Sequence, residues 1–357
     1  MVMRLALLML LFVSCAIKEN EFSEINGIVP TSIEVKNYKA FDFNQNDFIG
    51  VVSKWRVFKE GFVLLNNNSI FFYRDNIEQP LIINNESNFE LEGCTISDFT
   101  IENGILYLLC EAKGVLISYN LEERKILSTI DLGVDATRFE VFNEQIIIYQ
   151  TPNTLNQDST LNFQIFLFPL SDPSSKRKYF NYNSSPDNSF QFNVLAGDSF
   201  FKYDNKIFFS RMQNDSVFVF PDKEHGFSIK NLNFSTTDID IGKFPSNLEN
   251  LVVYPLSLSI DEKYLFFSFL KNGKYLQSVS NMESNKSVVV EEIVLANDKV
   301  KVPLIAQIFE GSVYLLITDE SLIEYNPDGE FDGLFKKLKN YEKSFIFISF
   351  PISELGL

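Results

Sequence analysis

The chain has 357 residues, a formal net charge of −16 and a single histidine. An acidic excess of this size repels phosphate backbones and argues against a nucleic-acid partner. Three cysteines and one histidine are too few soft ligands for a conventional zinc site.

Core-forming material is abundant: 45% of residues are hydrophobic and 15% aromatic, with 37 Phe and 14 Tyr. Aromatic enrichment favours strands over helices. Length alone suggests two or three domains of about 150 residues, although β-architectures use such a length as one unit.

The N-terminus reads as an export signal. Arg4 gives a basic start, Leu5 to Val13 carry no charge, and Ser14 precedes Cys15. Nine apolar residues fall well short of the about 20 that a bilayer span requires. The arrangement resembles a bacterial lipoprotein signal, which implies acylation of Cys15 and a lipid-anchored chain. An ordinary signal peptide with an incidental Cys15 is the alternative. The expected organisation is a signal peptide at 1–14, a lipidated Cys15 with a polar tether at 15–30, and a β-domain at 31–357.

Beyond the tether, short strand patterns alternate with polar turns. The unit is a strand, a turn, an apolar strand, a second turn and a strand that usually ends in an aromatic residue. Trp55 to Phe58, Phe62 to Leu65 and Ile70 to Tyr73 form the first copy. Phe99 to Ile101, Ile105 to Cys110 and Val115 to Tyr119 form the second, with Lys125 to Asp131 as a fourth strand. Phe139 to Phe142, Gln145 to Tyr149 and Phe163 to Phe168 follow. Then come Phe200 to Tyr203, Lys206 to Phe209 and Ser216 to Phe220. Leu256 to Ile260, Tyr264 to Phe269 and Tyr275 to Val279 make a fifth copy. Ile305 to Phe309, Ser312 to Thr318 and Leu322 to Tyr325 make a sixth.

The third strands of these copies end 46, 49, 52, 59 and 46 residues apart. Six units at such steps predict an all-β, six-bladed β-propeller of four-stranded antiparallel blades behind the signal. Phe71 and Phe72, Phe208 and Phe209, and Phe266 and Phe267 each place one ring on either side of a strand, as a sheet buried on both faces requires. Ser32 to Lys36 is expected to close the ring against strands near Phe345 to Phe350. The basic stretches at 176–178 and 336–339 read as solvated turns or edges.

Chemistry-bearing residues are sparse. His225 stands beside Gly226 in an irregular stretch and reads as a surface-loop residue. Neither a Gly-x-Ser-x-Gly elbow nor a phosphate-binding Gly-rich loop is present, so no cofactor is expected. Asp238 and Asp240 alternate and would share one face of an extended segment. They are weak candidates for a calcium site, against the simpler reading of solvent-facing positions. Cys94 and Cys110 stand 16 residues apart. Export permits a bridge between them, and two separate buried thiols fit equally well.

Asn214, Asp215, Ser216, Val217 and Phe218, then Ile239, Asp240, Ile241, Gly242, Lys243, Phe244 and Pro245, carry a further resemblance. They are similar to segments of six-bladed β-propeller lipoproteins of the Bacteroidetes type, akin to TolB-like propellers. Lys18, Glu19, Asn20 and Glu21 resemble the export tags of that group. The resemblance implies a cell-envelope protein, lipid-anchored most readily in the outer membrane, facing either the periplasm or the surface. It also implies a binding module for an envelope protein or a small ligand. The alternative is a propeller hydrolase or lyase acting on glycans or peptides through carboxylates. Acidic side chains converging on the channel mouth would favour the enzyme. A neutral or apolar channel with aromatic loops would favour the binder.

Overall fold

The computed structural model describes residues 29–37, 39–44, 52–59, 61–74, 80–85, 91–150, 163–181, 200–203, 206–210, 216–220, 228–231, 252–261, 263–271, 274–284, 286–295, 298–301, 306–318 and 344–357. Strands β1 (Thr31–Val35) and β2 (Lys39–Asn44) precede the first blade. Blade 1 holds β3 (Val52–Phe58), β4 (Gly61–Asn66), β5 (Ser69–Arg74) and β6 (Leu81–Ile83). Blade 2 holds β7 (Ile96–Glu102), β8 (Ile105–Cys110), β9 (Val115–Asn120) and β10 (Lys125–Asp131). Blade 3 holds β11 (Arg138–Phe142), β12 (Gln145–Tyr149), β13 (Phe163–Pro169) and β14 (Arg177–Asn181). Blade 4 holds β15 (Phe200–Tyr203), β16 (Lys206–Ser210), β17 (Ser216–Phe220) and β18 (Ser228–Asn231). Blade 5 holds β19 (Val252–Asp261), β20 (Tyr264–Lys271), β21 (Lys274–Asn281) and β22 (Lys286–Leu295), with β23 (Asp298–Lys301) folded back on β22. Blade 6 holds β24 (Ala306–Phe309), β25 (Ser312–Thr318) and β26 (Ser344–Pro351).

Within each blade the strands run antiparallel in sequence order. Tight hairpins follow from local sequence. Asn103 and Gly104, Asn143 and Glu144, and Glu310 and Gly311 each have two consecutive positive φ values. That is the two-residue turn whose twist matches the flanking strands. Gly61 answers a different demand. A Cβ there would stand 1.9 Å from the Tyr73 carbonyl oxygen, so β4 can approach β5 only without a side chain at that position.

The first strand of each blade is the inner one. β24 lies against β3, β7 against β11, β11 against β15, β15 against β19, and β19 against β24. The Lys54–Asp98 ion pair joins β3 to β7. The ring therefore closes through all six blades, and the fold is the expected six-bladed β-propeller.

Packing follows the period-two rule of strands. Leu106, Leu108 and Cys110 of β8 face blade 1, whereas Tyr107 and Leu109 face blade 3. In β4, Val63 and Leu65 point to blade 2, while Phe62 and Leu64 point to blade 6. The same split separates Ile146 and Ile148 from Ile147 and Tyr149. Phe71, Phe208 and Phe266 lie on the opposite blade faces from Phe72, Phe209 and Phe267. Six apolar clusters thus fill six blade-to-blade interfaces, and the core is a ring of wedges.

Two expectations are corrected by the topology. β2, not Ser32 to Lys36, closes the ring, pairing antiparallel with β26 from Lys39 opposite Ser349 to Asn44 opposite Ser344. Ser32 to Val35 belong instead to β1, which adds to the outer edge of blade 5 in parallel with β22. The third strand of blade 6 is β26, in continuous register with β25. Leu322 to Tyr325 lie outside the described residues. The missed signals are non-local, because both pairings join segments far apart in the sequence. The basic stretch at 176–178 does fall on an outer edge, with Arg177 and Lys178 exposed on β14.

Cys94 and Cys110 form a disulfide that ties the approach to β7 onto the end of β8, across a sequence separation of 16. Replacing both by Ala should lower stability by about 3 kcal/mol, the value for a loop near 15 residues. Matched denaturant melts of oxidised, reduced and variant protein would measure this. Reduced wild type and the double variant should coincide.

Phe209 is fully buried between blades 3 and 4. Phe209→Ala should cost about 3–5 kcal/mol, whereas Leu127→Ala, at a position 45% exposed, should stay within about 0.5 kcal/mol of wild type. Equal losses in thermal melts of the two variants would contradict the wedge-packed core.

Candidate functional site

The inner strands carry polar residues at alternating positions, and these meet on the ring axis. Lys54 donates to Asp98 Oδ1 at 2.7 Å, with both side chains buried. Asp98 also accepts from the backbone N–H of Phe99 and, through Oδ2, from that of Phe139, each at 2.9 Å. One carboxylate therefore links blades 1, 2 and 3.

Glu140 on β11 does the same on a larger scale. It is completely buried and takes Arg56 Nη2 at 2.9 Å from blade 1. It also accepts the Thr100 hydroxyl of blade 2 and lies 3.4 Å from Lys202 Nζ of blade 4. Burial pushes the Glu140 carboxyl up, but Arg56, Lys202 and Lys54, with the Thr100 hydroxyl, outweigh it and hold the group below its ordinary value.

Lys202 on β15 reaches towards blades 2 and 3. It donates to Glu102 Oε2 at 2.6 Å, the Ile101 carbonyl at 2.8 Å and the Val141 carbonyl at 3.1 Å. Arg56 Nη2 donates to the Phe200 carbonyl at 2.8 Å, which links blade 1 to blade 4 on the far side of the ring. Phe201 stacks near the same guanidinium, 5.5 Å from its ring centre. Three cations and three carboxylates form this cluster, so their formal charges cancel.

Further side chains stitch the other blades. Gln307 on β24 accepts the Val57 N–H and donates to the Trp55 carbonyl. The Ser259 hydroxyl on β19 accepts the Ile308 N–H at 2.9 Å. Asp261 accepts the Gly311 N–H at 2.7 Å.

Beside this cluster lies a cavity of about 200 Å³. Every lining residue comes from the inner strands β3, β7, β15 and β24, and most from the strand halves that lead into the hairpins. Arg56, Lys202, Thr100 and Gln307 are its polar lining residues. Phe58, Phe201 and Phe309, with Val57, Ile101 and Ile308, make the rest apolar. Asp98, Glu102 and Glu140 do not line it.

Among the described residues, the axial carboxylates Asp98, Glu102 and Glu140 are held in ion pairs. A carboxylate pair that hydrolyses glycosides needs one member kept protonated by a raised pKa. Glu140 is shifted the other way, and Asp98 is occupied by three donors.

Cys15, His225, Asp238 and Asp240 lie outside the described residues. Among the described residues no group of three or more His, Cys, Asp or Glu side chains could hold a metal ion. The site itself was missed in the sequence. Its signal was a charged, amide or hydroxyl residue among the apolar residues of the first strands, as in Lys54 and Arg56, Asp98 and Thr100, and Glu140, Lys202 and Gln307. An outward-facing strand edge gives the same pattern.

Six blades around a polar, side-chain-filled axis define the class as a six-bladed β-propeller. No family model matches the sequence, and no curated protein matches it. Among solved structures the chain is similar to a protein classed as exported from Bacteroides fragilis. The TM-score is 0.60 at 12% identity, covering 90% of this chain and 99% of that one. It is also similar to a streptogramin B lyase, with a TM-score of 0.49 at 10% identity, covering 87% and 97%. BamB from Moraxella catarrhalis gives 0.43 at 9%, covering 77% and 71%. At these identities the first likeness establishes the fold alone, and the other two carry no argument.

Removing one member of the buried cluster leaves its partners uncompensated. Glu140→Gln should destabilise the ring by about 3–5 kcal/mol at neutral pH. The folded-state pKa of Glu140 is depressed, so its contribution is complete above the ordinary value of 4.5 and is lost as pH falls through the lowered folded value. Stability measured from pH 7 to pH 3 should therefore fall more steeply in wild type than in Glu140→Gln. Parallel acid limbs would remove Glu140 as a stabilising charge.

Proposed function

We propose that this chain is a lipid-anchored binding module of the bacterial cell envelope. A six-bladed propeller, held to the membrane through Cys15, would engage a protein or small-ligand partner at its channel mouth. The outer membrane is the favoured location, and the TolB-like lipoproteins of Bacteroidetes type are the favoured relatives.

The observation that carries this reading is the axial cavity. It joins a rigid, cross-braced ring to a partly apolar recess with two cations in its wall, and its neighbouring carboxylates are held as salt-bridge partners. Rigid scaffolds with concave, mostly apolar recesses and a few fixed polar groups suit recognition. Among the described residues no helix is long and apolar enough to cross a membrane. An acyl anchor on Cys15 would supply attachment by another route. That the Bacteroides fragilis neighbour is described as exported agrees with the export signal at Arg4 to Cys15.

The test is metabolic labelling with an alkyne fatty acid, followed by affinity capture from native membranes, with Cys15→Ala as control. Wild type should label, fractionate with membranes and co-purify a reproducible envelope component. Cys15→Ala should lose label and membrane association. An unlabelled wild type would remove the anchor from the proposal, and repeated capture without any partner would count against a protein-binding role.

A further inference from the structure

Three phenylalanines and two cationic residues line one small cavity among the inner strands, and we infer that it binds a small aryl carboxylate, a single ring bearing a carboxylate on a short stem. The inference deepens the binding-module reading and rests on it.

Size sets the first limit. An apolar cavity of about 150 Å³ takes benzene. At about 200 Å³ this one holds a single ring with a few further heavy atoms, and it is too small for a folded peptide segment. Phe58, Phe201 and Phe309 line it and are each only half-buried, so part of their ring surface is available to a ligand ring. Aromatic pairs of this kind contribute about 0.5–1.5 kcal/mol beyond area burial.

Charge sets the second. Arg56 and Lys202 line the cavity, whereas the carboxylates that hold them do not. The wall of the recess thus carries two cationic residues and no carboxylate residue. A ligand carboxylate placed there would have Arg56 and Lys202 as neighbours among the lining residues. The low-dielectric wall strengthens that attraction relative to water.

Preorganisation is the third element. Glu140 and the Phe200 carbonyl fix Arg56. Glu102 and two backbone carbonyls fix Lys202. Neither long side chain needs to be ordered when ligand arrives, which removes a cost that usually opposes binding. A neutral aryl group would keep the ring contacts and forfeit the charge complementarity, so the acid should be preferred over its amide.

The experiment titrates 4-fluorophenylacetate into the purified full-length protein and follows binding by fluorine NMR. The neutral isostere 4-fluorophenylacetamide is titrated in parallel. The acid should bind at least about tenfold more tightly than the amide. Ile101→Trp, an enlargement at a lining position on β7, should weaken the acid by about tenfold or more while a cooperative melt is retained. Val57→Phe serves if Ile101→Trp does not fold. Equal affinity for acid and amide, unchanged binding in a folded cavity-filled variant, or no binding of acid to folded wild type would each overturn the inference. Failure of the acid while an envelope partner still co-purifies rejects the ligand class and leaves the binding module standing. Failure of both rejects both.

Discussion

An inner strand of a propeller has a sheet neighbour on one side only. Its other edge presents a row of backbone N–H and C=O groups to the axis, and six such edges converge there. Buried backbone groups without partners are costly, so the axis must be furnished with donors and acceptors before the blades can close around it. This chain solves the problem with side chains from neighbouring and opposite blades. Asp98 caps the Phe139 N–H, Ser259 caps that of Ile308, and Gln307 takes both Val57 and Trp55. Lys202 satisfies two carbonyls from two different blades.

The ion pairs follow from that first need. Asp98 and Glu140 are placed to accept backbone and hydroxyl donors at the axis, and buried carboxylates demand cations. Lys54 and Arg56 from blade 1 and Lys202 from blade 4 meet this demand. Arg56 spans the ring because its reach and forked donors allow it to serve Glu140 and the Phe200 carbonyl together. The cluster is neutral in sum, and two of its cationic residues, Arg56 and Lys202, also line the cavity. Structural bracing and the recess are therefore two faces of one arrangement.

Much of the architecture was legible because it is local. Two-sided apolar strands such as Leu106 to Cys110 and Ile146 to Tyr149 announce sheets buried on both faces. Asn103 with Gly104 and Glu310 with Gly311 announce tight hairpins. Six such units at similar steps announce the ring. The closing strands escaped because nothing near Lys39 indicates that its partner is Ser349. The recess escaped for a related reason. Arg56 and Glu140 are 84 residues apart and acquire meaning only when the ring brings blades 1 and 3 to the same axis. Alternating charge on a strand normally marks solvent, and only the closed topology turns that face inward.

The seam in blade 6 also fixes an order of events. β26 sits between β25 and β2, so the first and last parts of the propeller share one sheet. Synthesis proceeds from the N-terminus, and β2 has no partner until residues 344–351 have been made. Blades 1 to 4 can assemble from neighbours close in sequence, but the circle stays open throughout that time with a bare edge at each end. Closure is a single late, long-range step, slow by the standards of local pairing. Until it occurs, the axis cannot exclude water, and the charged cluster cannot gain the full strength it has in the finished ring.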